Sequence, residues 1–151
     1  MNLLFWGLTP LIVGYVMNTW LLQNHSSILP FTAIGLVFLA FWAFVGFITS
    51  RKDRTLLKSA FITNTTAFIV LLLIVYQEIL LEKFWLNLFG TATQFYYLPL
   101  FNLSASILGT FTHITTFAIH TWSAALVGFC LLFVSYYIGG LMKKRFYSAK
   151  A

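Results

Sequence analysis

Two histidines, His113 and His120, stand seven residues apart in "FTHITTFAIHTW", just ahead of the last long apolar run of the chain. Histidine can carry a proton near neutral pH or hold a metal ion. Seven residues of helix are about 10.5 Å of rise, whereas a metal-binding pair on one helix usually stands four apart. Both rings reach one ion only if the helix breaks between them. Otherwise one of them draws partners from elsewhere, such as His25 or Glu78. We therefore assign no metal-ligand set. A haem pair would need two histidines aimed at each other across helices, and nothing further supports His25 in that role. Histidine and carboxylate could serve as general base and orienter, and a histidine near an interface could sense pH. The plainer alternative is that both histidines are boundary residues satisfied by backbone, headgroup or water. The chain has no serine-centred nucleophile elbow, Walker loop or dinucleotide fingerprint. No pattern identifies a cofactor or a family.

A second polar group lies in "FITNTTAFIV" and comprises Asn64, Thr65 and Thr66. Asn64, Ala67, Leu71, Ile74 and Glu78 follow three- and four-residue steps and so share one helical face. A face bearing Asn64 and Glu78 does not belong against lipid. Asn64 either lines a pathway or, as is commoner, hydrogen-bonds a neighbouring helix.

The elements that would hold these residues are dictated by composition. Of 151 residues, 60% are hydrophobic and 8% charged, against about 25% charged in soluble domains. No Asp, Glu, Lys or Arg occurs from Met1 to Thr49 or from Phe84 to Met142. These runs exceed the roughly 20 apolar residues that one membrane crossing needs. The expected fold is an all-α integral membrane protein of one domain. Four transmembrane helices are expected, at about residues 2–22, 28–49, 59–80 and 115–142. The start, "MNLLFWGLTP", lacks the basic region of a signal peptide and is read as a retained span. Cys130, the single cysteine, is read as a packing residue.

Charge order gives the expected orientation. With both termini cytoplasmic, Arg51, Lys52, Arg54, Lys58, Lys143, Lys144, Arg145 and Lys150 lie inside and Lys83 alone lies outside. The charge of +6 therefore marks membrane flanks rather than a nucleic-acid surface. A bacterial cytoplasmic membrane is the expected location. Residues 84–114 are apolar but interrupted by Gly90 and Pro99, so two short interfacial or re-entrant helices are expected on the outer face, with a break at Leu98. Small residues that would pack the bundle are Gly7 and Gly14, Ala43 and Gly46, and Ala124 and Gly128.

Depth then gathers the ionisable residues. About 20 residues outward from Lys58 reach Glu78, and about 20 back from Lys143 reach Trp122, next to His120. His25, Glu78, Glu82, His113 and His120 thus form an expected outer-side group, with a Glu78–His120 interaction across spans three and four. The functional expectation is a small polytopic protein that acts by association. It would be an accessory, regulatory or assembly subunit of a membrane complex, or an immunity-type protein, with lipid and another membrane protein or its own copies as partners. The alternatives are an oligomeric transporter or channel using Asn64, Thr65 and Thr66, and an outer-face enzyme or metal binder using His113, His120 and Glu78.

Overall fold

Pro30 precedes the first long helix, as its fixed φ and missing N–H allow at a helix start. That helix, α3 (Phe31–Thr49), is apolar on every side, and its buried residues Gly35, Phe38, Trp42, Val45, Gly46 and Thr49 fall on one face. A computed structural model describes residues 3–24, 30–50, 55–112 and 120–148. In chain order the helices are α1 (Leu3–Trp6), α2 (Thr9–Gln23), α3, α4 (Leu56–Thr63), α5 (Thr65–Val75) with a π-helical turn at Tyr76–Leu80, α6 (Leu88–Thr112) and α7 (Thr121–Ser148).

The all-helical expectation holds, but the spans differ from four straight rods. Among the described residues, α3 and α7 are long and apolar enough to cross a membrane. The α4–α5 segment makes a third crossing only if its 51° bend is counted as one broken span. The expected first span is interrupted at Gly7–Leu8, leaving α2 with 15 residues, short of the roughly 20 a crossing needs. Gly7 and Gly14 therefore do not share one helix. The exposed sides of α3 (Leu36, Val37, Phe44) and α7 (Leu126, Val134, Ile138) suit contact with lipid.

The frame is the parallel pair α3 and α7, whose C-terminal ends meet at Lys143. Ala124, Gly128, Leu132, Tyr136 and Gly140 are buried at four-residue steps along α7, the ridge along which helices interdigitate. Near one end the backbones touch. A methyl group on Gly46 would overlap the Tyr136 carbonyl, and one on Gly139 would overlap the Ala43 carbonyl. Such close approach permits Cα–H···O contacts and dispersion between backbones. At the same end, the Thr49 hydroxyl donates to the Val45 carbonyl (2.6 Å) and lies 2.8 Å from the Tyr136 hydroxyl. Because its one proton is used on Val45, the Tyr136 hydroxyl is the donor between them. Lys143 donates to the carbonyls of Ile48 (3.1 Å) and Ser50 (2.6 Å). A cation at the carbonyl end of α3 complements the helix dipole.

The largest departure from expectation is α6. A single helix of 25 residues runs through Pro99, where a break at Leu98 was expected. Proline removes one helical hydrogen bond and pushes against the preceding turn, so an unsupported helix would end there. Here the distortion is matched by neighbours without side chains. The carbonyl of Phe95, which loses its regular donor at Pro99, rests against Gly14 of α2, and the Pro99 carbonyl faces Gly35 of α3. Thr32 at the start of α3 donates to Asn102 (3.2 Å), and Tyr97 lies against Gly128 of α7. These partners on α3 and α7 belong to the half of the bundle that carries Glu78, so α6 crosses that half. Two tyrosines hang from α6 toward the Lys143 end. The Tyr96 hydroxyl donates to the Gly7 carbonyl and that of Tyr97 to the Ala67 carbonyl, each at 2.7 Å.

Candidate functional site at the Glu78 end

The site is built on the last turn of the α5 segment. From Tyr76 to Leu80 the helix widens, and the Leu81 N–H reaches the Tyr76 carbonyl at 3.1 Å. Such π turns shift the register of the side chains that follow. Gln77 faces inward and is fully buried. Its carbonyl accepts the Trp85 N–H (2.9 Å), and its amide donates to the Leu73 carbonyl (3.2 Å) and to the Thr93 hydroxyl (3.4 Å). One side chain thus fastens the loop after the π turn to both α5 and α6. Glu82 in that loop adopts a positive φ (48°), the left-handed region. Asn87 then starts α6, its side-chain oxygen accepting the Gly90 N–H at 2.9 Å, the usual geometry of an asparagine N-cap.

Glu78 points to α7. Its two carboxylate oxygens accept the N–H groups of Thr121 (3.0 Å) and Trp122 (2.7 Å). His120 occupies the N-cap position, since its carbonyl accepts the Ala124 N–H (3.2 Å) and the Ser123 hydroxyl (2.7 Å). Imidazole cannot accept the first helical N–H groups as a Ser or Asp cap would. A carboxylate supplied 42 residues away in the chain takes that task. Negative charge at a helix N-terminus is favoured by the helix dipole, and charged acceptors make the stronger hydrogen bonds.

The His120 Nδ1 lies 3.5 Å from a Glu78 oxygen, with side-chain exposures of 52% and 17%. The imidazole also stacks on Trp122, with ring centres 6.4 Å apart and planes 15° apart. Chemically, Glu78 is committed to two backbone donors, whereas half-exposed His120 retains access to solvent or headgroups. Glu82 is exposed on the neighbouring turn. His25 and His113 lie outside the described residues. Among the described residues, no three His, Cys, Asp or Glu side chains come together as a metal site would need.

Comparison with protein-family models, with curated proteins and with solved structures finds no match for this chain. Its chemistry is therefore read from its own geometry.

The second polar group is scattered. Asn64 is 1% exposed and sits at the α4–α5 bend. Its amide donates to the Ala60 carbonyl (2.9 Å), and its oxygen accepts the Trp42 indole N–H (3.2 Å). Thr65 is exposed and donates to its own helix at Phe61 (2.9 Å), and Thr66 is half-buried. Ala43 and Gly46 meet α7, and Gly128 meets Tyr97 and Ser104 of α6. Ala124 is buried along α7. Sequence reasoning missed Gln77, Trp42, Asn87 and the Tyr96–Tyr97 pair. Gln77 carried a signal: it is the one amide directly beside Glu78 at the end of an apolar run.

Between α5, α6 and α7, next to Glu78, lies a cavity of about 280 Å³ lined by Ile74, Phe84, Gln94, Tyr97, Leu98, Phe101, Thr121 and Ala125.

Proposed function

We propose that the chain is a small polytopic membrane protein that works by association, as an accessory, regulatory or assembly subunit of a membrane complex. In this reading the Lys143 end is cytoplasmic, the Glu78 end faces outward, and α6 is the outer cap. The observation that carries the reading is the loop that joins the π turn to α6. Leu86 in the loop, Leu80 at the end of the π turn and Leu88 and Phe89 in the first turn of α6 are exposed, Leu86 to 96%. Yet the backbone around them is pinned by Gln77–Trp85 and by Asn87–Gly90. Apolar side chains carried on a pinned backbone form a contact surface whose backbone ordering cost is already met.

The polar interior supports the same view. Asn64, Gln77 and Glu78 spend their hydrogen-bonding groups on holding helices together. The transport alternative asks Asn64 to face a path, and the enzyme alternative asks Glu78 for a free carboxylate; neither gains a specific observation. The test is purification from the native membrane in mild detergent. A stoichiometric membrane partner, lost in Leu86→Ser/Phe89→Ser, is expected. A lone protein with solute flux or turnover, unaffected by that double change, refutes the reading.

A further inference from the structure

Lys143 and Arg145 stand two residues apart near the end of α7 and face different ways. Lys143 shares the face of Tyr136 and Gly139 that packs on α3, and its ammonium is spent on the carbonyls of Ile48 and Ser50. Arg145 is exposed and ends another stripe. Val134, Ile138 and Leu141 precede it at four-, three- and four-residue steps, and all three are exposed. Among the described residues the carboxylate side chains are those of Glu78 and Glu82, at the other end of the bundle, and Arg145 forms no ion pair. From Thr121 to Met142, α7 rises about 32 Å, close to the thickness of a hydrocarbon core. Lys144 and Arg145 then fall in the headgroup layer.

We propose that Arg145 binds the phosphate of an anionic phospholipid, one of whose acyl chains lies along Val134, Ile138 and Leu141. The stripe from Val134 to Arg145 rises about 16 Å, close to the depth of hydrocarbon in one leaflet, about half of 30 Å. The guanidinium fits a phosphate with two parallel N–H···O bonds. Exposed Lys144 beside it adds a second positive charge. That charge favours a headgroup of net negative charge over one whose own cation offsets the phosphate. A free phosphate would gain from the cations alone and leave the apolar stripe uncovered, so the occupant is the lipid. The inference rests on the reading of α7 as a membrane span. It is independent of the exposed residues around Trp85 and Asn87.

The experiment titrates dioleoylphosphatidylglycerol or dioleoylphosphatidylcholine into the full chain in an uncharged detergent and reads bound lipid by native mass spectrometry. The first phosphatidylglycerol is expected to bind at least about tenfold tighter than phosphatidylcholine, since each cation near the headgroups contributes about fivefold. Arg145→Gln should weaken phosphatidylglycerol about fivefold and phosphatidylcholine less. Arg145→Lys should restore part of the loss, and Lys83→Gln, at the other end of the bundle, should change nothing. Arg145 is exposed, so the thermal midpoint is expected to stay unchanged in both of its variants. Glycerol phosphate, which lacks the chains, should not displace the lipid. Equal affinity for the two lipids, indifference of phosphatidylglycerol to Arg145→Gln, or displacement by glycerol phosphate overturns the proposal. Flotation with phosphatidylcholine vesicles checks the span separately: a chain that does not float overturns the membrane reading and this proposal with it.

Discussion

The carbonyl of Phe95 rests against Gly14, and it is the carbonyl that Pro99 deprives of its helical donor. Two residues that each weaken a helix are thereby complementary across an interface. Gly14 gives up a side chain so that α2 can approach, and the approach covers a carbonyl that would otherwise be unpaired inside the bundle. Gly14→Val should lower stability by about 1–3 kcal/mol, the usual cost of overpacking, with loss of folded protein on thermal unfolding in detergent. An unchanged midpoint would mean that α2 does not pack on α6 in this register.

Gly46 and Gly109 make a controlled pair. A methyl group on Gly46 meets the Tyr136 backbone, whereas one on Gly109 meets nothing within 4 Å among the described residues. Gly46→Ala is expected to destabilise by about 1–3 kcal/mol. Gly109→Ala should be neutral or stabilise by about 0.5–1 kcal/mol, because alanine is the better helix former. Equal effects from both would show that the α3–α7 crossing is looser than described.

Glu78→Gln keeps one acceptor oxygen for the start of α7 but loses the charge. A loss of about 1–2 kcal/mol is expected, and Glu78→Ala should cost more because Thr121 and Trp122 lose both acceptors. His120→Ala should cost less than about 1 kcal/mol, since a half-exposed pair is screened by solvent. Chemical denaturation in mixed micelles would rank the three. A larger effect from His120→Ala than from Glu78→Ala would reverse the assignment of the cap.

Trp42 and Asn64 should prove coupled. Trp42→Phe leaves the Asn64 oxygen without its donor, and Asn64→Leu leaves the indole N–H without its acceptor. Each single change should cost about 1–3 kcal/mol, the penalty for a buried unpaired group. The double variant should cost less than the sum, by at least about 0.5 kcal/mol. Strict additivity would place the two side chains apart.

Much of the helical fold was legible from the uncharged runs Met1–Thr49 and Phe84–Met142, where no soluble arrangement could cover so much apolar surface. Helix rise counted from Lys58 and Lys143 put Glu78 and His120 at one level, and they stand 3.5 Å apart. What the count could not show is that Glu78 binds the backbone of α7 rather than chiefly the imidazole. Helix N–H groups are present at every helix start and leave no mark in the residue pattern. The bend at Asn64 and the π turn at Tyr76 were hidden for a related reason. Each is a local distortion held by a distant side chain, and local propensity predicts a straight helix through both.

Residue order and composition alone point to an all-helical, apolar chain with its cations grouped at the ends of apolar runs, because backbone pairing in hydrocarbon leaves helices or closed barrels and the runs lack a membrane strand's alternating polarity. The pairing of its polar groups came from the fold. Trp42 finds Asn64, Glu78 finds Trp122 and Tyr96 finds Gly7 across 22, 44 and 89 residues. Proline at 99 reads as a stop in one dimension and as a fitted kink in three, since the glycines that accommodate it lie on other helices.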